Sequence, residues 1–262
     1  MKVRQITDKI EEKSPVSLAE GWDNVGLLVG TKEKEVRKIM LALDATDEVI
    51  EQAIKENVDL LITHHPMIFS GMKRVTDRDF IGRRIIRLIK NDISYYAMHT
   101  NCDVAILNDE AAKKIGLQSE EVLECITTDA EGNELGIGKV GTLSKTTSVL
   151  DLAKSVKEKF HNEHIRITGD VEKKVSRVAV STGSGKSMVK HAIKKKAEVL
   201  ITGDIDHHTA IDALAQGVQI IDAGHFGTER FMVEYMYQYL HTHFGESIVV
   251  LKATEKDPFT TI

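Results

Sequence analysis

Residues 38–65 read Lys38-IMLALDATDEVIEQAIKENVDLLITH-His65. The run Ile39-MLA-Leu43 is apolar and short, the pattern of a buried strand. Thr46 or Asp47 then stands where a helix cap is expected, because a short polar side chain there can accept a first-turn amide. Val49, Ile50, Ala53 and Ile54 follow at helical spacing. Leu60-Leu61-Ile62-Thr63 reads as a second strand that stops at His64-His65-Pro66. Strand, helix and strand in this order predict a βαβ unit in a mainly parallel sheet. Outward from it, Phe80, Ile81, Ile85, Leu88 and Ile89 predict another helix, and residues 93–98 a third strand ending at His99.

Residues 177–204 repeat the pattern. With Ile39 set against Val178, an offset of 139 holds without a gap from Lys38 to His65. It pairs Ala53-Ile54-Lys55 with Ala192-Ile193-Lys194, and Leu61-Ile62-Thr63 with Leu200-Ile201-Thr202. Further on, His99-TNC-Asp103 matches His225-FGT-Glu229 at an offset of 126. The expectation is an internal duplication: an α/β protein of two similar α/β lobes facing each other. Residues 1–125 plus 231–262 are assigned to the first lobe and 126–230 to the second. The second begins with connecting strands around one helix capped by Thr147 or Ser148. After Glu229 a helix to about Leu240 and a last strand from Ser247 are expected.

The chain has 262 residues, 42% hydrophobic and 29% charged, enough for a sizeable core in one or two domains. A net charge of −5 supplies no global basic field, which argues against nucleic acid as the default partner. Two cysteines, Cys102 and Cys125, imply no disulfide framework. No apolar run approaches the roughly 20 residues of a membrane span, and the N-terminus lacks a signal-peptide core. A cytoplasmic location is the expectation by elimination.

The chemistry is concentrated at strand ends. Three of them supply His64, His65, His99 and His225 with Asp103 and Glu229, and parallel strands converge at their carboxyl ends. Mixed imidazole and carboxylate donors suit Zn, Fe, Mn or Co rather than Ca. The competing reading is a set of hydrogen-bonded strand-end histidines. His64 and His65 reach one site only if the strand ends there, since neighbouring strand residues point to opposite faces. Ser181-TGSGK-Ser187 fails the Walker pattern, having Val180 where a glycine is required. Gly183 and Gly185 remain candidates to cradle an anion on backbone amides. In Thr202-GDIDH-His208, His207 and His208 open an expected helix, and His208 is a candidate substrate contact. Asp23-Asn24 is read as a turn near a site or a cap. Cys102 suits a small buried hydrophobe better than a ligand.

Gly21-WDNVGLLV-Gly30, Thr63-HHPMI-Phe69, Tyr96-AMHTNC-Asp103, Ile201-TGDIDH-His208 and Ala223-GHFGT-Glu229 together resemble the NIF-three-like family. Its bacterial members are often labelled GTP cyclohydrolase I type 2 homologues. The resemblance runs through nearly the whole chain, without the middle insertion domain of some relatives. It implies two similar α/β lobes packed around a metal-binding cleft that holds a dinuclear site, and a homo-oligomer, usually a ring-shaped hexamer. Carried over by position, the metal ligands are His64, His65, Asp103, His225 and Glu229, for two divalent ions (Zn, Fe or Mn). His99 becomes a neighbouring proton-handling residue, and His99 and Glu229 the catalytic candidates. Residues 104–109 depart from the pattern, lacking the glycine pair that usually precedes Asn-Asp. Cys102 and Asp204 replace a typical apolar residue and a glutamate.

The function expected from the resemblance is metal-dependent hydrolysis of a small molecule, with a nucleotide, GTP, as the candidate substrate. A bridging water whose pKa drops from about 15.7 toward about 7 would be the nucleophile. The alternative is a non-catalytic, metal-dependent binding or regulatory scaffold; a third reading is metal storage or delivery.

Overall fold

The computed structural model describes residues 1–260. In chain order it opens with α1 (Val3–Lys13), β1 (Gly26–Val29), β2 (Lys38–Ala42), α2 (Asp47–Lys55), β3 (Leu60–Thr63), α3 (Phe80–Lys90), β4 (Ser94–Ala97) and the single turn α4 (Thr100–Cys102). A π-helical stretch Asp103–Leu107 leads into α5 (Asn108–Ile115), β5 (Leu117–Thr128), β6 (Glu134–Ser148), α6 (Val149–Lys159), β7 (Arg166–Thr168) and β8 (Lys174–Ser184). Then come α7 (Val189–Lys194), β9 (Val199–Gly203), α8 (His207–Ala215), β10 (Gln219–Asp222), α9 (His225–Glu229), α10 (Phe231–Phe244) and β11 (Val249–Lys252). No helix among the described residues is long and apolar enough to cross a membrane.

The chain forms two compact units. One comprises residues 1–102 and 231–256, the other 103–230 with the described residues from 257 onward. Residues 103–125, assigned above to the first lobe, cluster with the second, and so do residues 257–260. For the first of these segments the reason is pairing: β5 is hydrogen-bonded along β6, from Leu117 opposite Leu143 to Thr128 opposite Glu134. Thr261 and Ile262, placed in the first lobe above, lie outside the described residues.

The first unit carries a sheet of order β1-β4-β3-β2-β11. Strands β2, β3 and β4 run parallel, β11 is parallel to β2, and β1 is antiparallel to β4. The second unit carries a sheet of order β5-β6-β8-β9-β10-β7. There β8, β9 and β10 are parallel, while β6 and β7 flank them antiparallel. Each unit therefore holds three consecutive parallel strands with an antiparallel edge strand beside the third, and β11 adds a fourth parallel strand in the first unit.

The duplication extends to individual hydrogen bonds. Ile39 pairs with Leu60 and Val178 with Val199, so the register obeys the 139 offset. Asp59 Oδ2 accepts the Arg37 and Lys38 amides at 2.8 and 2.9 Å; Glu198 Oε2 accepts the Ser176 and Arg177 amides at 2.7 and 2.9 Å. Helices α2 and α7 are followed by left-handed residues at matching positions, Asn57 (φ 52°) and Lys196 (φ 56°). The third strands match at 125 rather than 126, since Leu61 opposes Tyr95 and Leu200 opposes Ile220. The second lobe thus has one additional residue before its histidine, within Ala223-Gly224, and Gly224 takes φ 73°.

Local chemistry sets the element ends. Thr46 caps α2 by accepting the Val49 amide, Ser148 caps α6 through the Asp151 amide, and Asp206 caps α8 through the Thr209 amide. Helices α2 and α3 lay Val49, Ile50, Ala53, Ile85 and Leu88 on Met40, Leu61 and Tyr95. In the second unit Val189, Ala192 and Ala213 cover Ala179, Leu200 and Ile220. Truncating a buried leucine such as Leu61 to alanine costs about 2–5 kcal/mol.

The paired carboxylate clamps give a direct test of the repeat. Asp59→Ala and Glu198→Ala each leave two strand-entry amides without their side-chain acceptor and should each lower the unfolding free energy by about 1–3 kcal/mol. Denaturant midpoints of the two variants check this, and an unchanged midpoint at either position would show that clamp to be idle.

Candidate metal centre

Because β2, β3 and β4 are in parallel register, the residues just past their carboxyl ends gather on one edge of the sheet. These are Asp44, then His64 and His65, then His99. The β3 strand stops at Thr63, and the next two side chains share one side, with ring centroids 4.8 Å apart. Hydrogen bonds fix this turn. The Tyr95 hydroxyl donates to the His65 carbonyl at 3.0 Å and accepts the Met67 amide at 2.8 Å, while Thr63 Oγ1 donates to the same carbonyl at 2.8 Å. Tyr95 is fully buried, and that burial pushes its hydroxyl up to about 12, so it serves here as a neutral phenol.

His99 completes a triangle, its ring centroid 5.4 Å from His64 and 5.6 Å from His65. One ring nitrogen from each of the three lies within 4.8 Å of the others, a group able to hold a metal ion. His64 is fully buried. His65 Nδ1 is 2.9 Å from Asp44 Oδ1, and His99 Nδ1 is 2.9 Å from Asp23 Oδ1. A carboxylate on Nδ1 fixes the tautomer with the proton there and leaves the Nε2 lone pair outward, the usual arrangement of metal-binding histidines.

Asp23, expected from the sequence in a turn near a site or as a cap, is a member of the site through its pairing with His99. Its side chain is fully enclosed. Burial opposes its ionisation, yet hydrogen bonds from His99 and from the Thr100 hydroxyl and amide outweigh it and hold the carboxyl down at about 2. The next residue, Asn24, donates from Nδ2 to the Ile68 carbonyl at 2.5 Å, tying this loop to the one after His65-Pro66. Asp44 was not singled out, although its position at the end of the first predicted strand was a usable signal.

The second unit builds a related but unequal edge. His225 and Glu229 are one helical turn apart on α9, with Nε2 and Oε2 separated by 3.1 Å. His225 Nδ1 is 2.7 Å from Asp204 Oδ2, repeating the imidazole–carboxylate pairing. Asp204 holds φ 56°, a conformation aspartate tolerates better than most residues and one that often marks functional positions. Glu229 is almost wholly buried. Asp103 opens the π-helical stretch, a feature frequent at functional sites. Its carbonyl accepts Asn108 Nδ2 at 2.8 Å, and its Oδ1 is 3.4 Å from the Thr182 hydroxyl.

The glycine turn serves this edge rather than an anion. The Gly183 amide donates to Thr228 Oγ1 at 2.9 Å and the Gly185 amide to the Gly203 carbonyl at 3.0 Å, so neither is available to cradle a phosphate. Gly183 has φ 66°, and a Cβ there would run into Glu229 Oε1. Gly203, which aligns with His64, is equally constrained: its Cβ would lie 2.6 Å from both the Gly224 carbonyl carbon and the His225 nitrogen. His208 sits on the exposed first turn of α8 against His207, with ring centroids 5.4 Å apart. Cys102 is buried, in keeping with a hydrophobic role.

A profile of the Duf34/NIF3 (NGG1p interacting factor 3) family matches residues 1–258. A Clostridium perfringens protein named GTP cyclohydrolase 1 type 2 homolog is 36% identical over 265 residues, covering 100% of both chains. A Clostridium acetobutylicum protein of the same name is 38% identical over 231 residues, covering 87% of this chain and 85% of its own. Among solved structures, a Bacillus cereus protein related to NIF3 superposes with a TM-score of 0.90 at 25% identity, over 100% of this chain and 99% of that one. Reduced HcgD from Methanocaldococcus jannaschii gives a TM-score of 0.83 at 31% identity, over 96% and 97%.

Two outcomes follow from this geometry. The folded-state pKa of Asp23 lies below its ordinary 3.8, so its stabilisation is present above that pH and is lost as the pH falls to about 2. Asp23→Asn should remove that part of the acid-unfolding profile, and an unchanged profile would contradict the pairing with His99. Gly183→Ala should displace the Glu229 carboxylate and cost about 1–3 kcal/mol from backbone strain alone, measured as a fall in melting temperature.

Proposed function

The chain belongs to the Duf34/NIF3 family, and from that premise we propose that it is a metal-dependent hydrolase acting on a small molecule. Its ligands for two divalent ions are His64, His65, Asp103, His225 and Glu229. The observation that carries this reading is the repeated imidazole–carboxylate pair. His65, His99 and His225 each have an aspartate on Nδ1, and in each case that aspartate comes from a strand end or a loop beside it. Histidines serving only as structural hydrogen bonders have no need of one common tautomer. The donor set, imidazoles with carboxylates, fits Zn, Fe or Mn.

When bound, such ions supply Lewis acidity and bring the pKa of water from about 15.7 toward about 7. The chain's own residues do the rest. Asp44, Asp23 and Asp204 hold the rings in orientation, and Tyr95 fixes the peptide that carries His65. His99, whose Nδ1 is secured by the buried Asp23, handles the proton destined for a leaving group. Glu229, buried beside His225, would offer a carboxylate oxygen to a cation. The name shared by the Clostridium relatives supports GTP as the first substrate to try. The oligomeric state we propose is a homohexamer, and the location the cytoplasm.

Metal content per chain tests the reading directly. Wild type should carry close to two ions by mass spectrometry and His65→Ala/Glu229→Ala far fewer. With metal-loaded protein, GTP should yield formate, and Glu229→Gln should abolish that turnover wherever it retains its metal. Folded wild type that takes up neither Zn, Fe nor Mn would sink the proposal. Full metal occupancy with no turnover of any hydrolysable substrate would instead favour a binding scaffold.

A further inference from the structure

Beside the three-histidine cluster lies an aromatic pair that the metal chemistry does not use. Trp22 and Phe69 are 57% and 54% exposed, a large apolar area to leave in water. Their ring centroids are 5.7 Å apart with planes tilted by 42°. Trp22 also meets the His99 ring edge-on at 6.0 Å, so the pair is continuous with the candidate metal centre. Both rings are held from behind. Trp22 precedes Asp23, which is locked to His99 and Thr100, and Asn24, which is bonded to the Ile68 carbonyl. Phe69 follows that same Ile68. Two loops distant in sequence are therefore pinned to each other so that each presents one exposed ring.

We propose that Trp22 and Phe69 form a stacking platform for a planar heterocycle, so that the site selects substrates with a nucleobase-like ring. The inference rests on the metal-centre reading above and adds the substrate's chemical class. Aromatic faces accept flat rings with little dependence on their edge substituents. A ring stacked against Trp22 would lie next to His99, the residue assigned to proton handling. The pair is pre-organised by the two anchored loops, so binding requires little further ordering. Specificity for ring over non-ring substrates then comes from this wall, while the metal ligands serve the reacting bond.

Trp22 is the chain's single tryptophan, so its fluorescence reports on this platform alone. The experiment titrates the intact protein with guanosine, GTP and ribose 5-phosphate, exciting at the red edge of the tryptophan band and measuring metal content on the same samples. Guanosine and GTP should quench saturably, and ribose 5-phosphate should not. Phe69→Ala, a change at an exposed position, should weaken guanosine binding about tenfold. Absence of saturable quenching, equal quenching by ribose 5-phosphate, or unchanged affinity in Phe69→Ala would overturn the platform. So would failure to bind nucleosides combined with a change of assembly size in Phe69→Ala, which would assign the pair to contact with a second copy. Metal-loaded protein that ignores the ring refutes this inference and leaves the metal reading standing. Ring binding by protein that takes up no metal supports the platform and refutes the metal reading.

Discussion

An imidazole is available to a cation through Nε2 only while its proton is kept on Nδ1, and in this protein aspartates keep it there. The Asp44, Asp23 and Asp204 carboxylates sit 2.7–2.9 Å from Nδ1 of His65, His99 and His225. Everything else in the two edges arranges those pairs. Parallel register places the strand ends level, the Tyr95 hydroxyl sets the turn after Thr63, and the left-handed Asp204 turns its carboxylate back toward His225. Each aspartate also places a carboxylate directly behind the ring it holds.

The two units share a scaffold and divide the chemistry. Both repeat the same clamp on strand entry, the same left-handed exit from the first helix and the same order of parallel strands. The third strand ends differ by one residue, and this is enough to let His225 begin α9 directly, with Glu229 one turn away. In the first unit His99 precedes the short turn Thr100–Cys102, and His99 and Thr100 together fix Asp23 instead. A common fold has thus been given two donor sets: an imidazole triangle in one unit, an imidazole and a buried carboxylate in the other.

Much of this was legible in the residues. The gapless offset of 139 predicted the repeated βαβ units because strand and helix periodicities change at the same places in both halves. The caps at Thr46 and Ser148, each one of two neighbouring candidates in the sequence, follow from side-chain chemistry that acts over three residues. What stayed hidden depends on distance along the chain. Asp23 lies 76 residues from His99, and no local pattern joins them. The long strand β5 was hidden for another reason: its Gln118-SE-Glu121 opening is polar and exposed, and only pairing with β6 makes it a strand. The glycine turn at 183–185 looked like a ligand cradle because sequence shows backbone freedom but not which acceptors the amides already have.

Gly203 gives the duplication a direction. It occupies the place that His64 fills in the first unit, and the backbone of residues 224–225 closes over it at 2.6 Å from where a side chain would begin. A histidine introduced there would have to push apart the ends of β9 and the turn that carries His225. A symmetric pair of imidazole triangles is therefore not one substitution away from this chain.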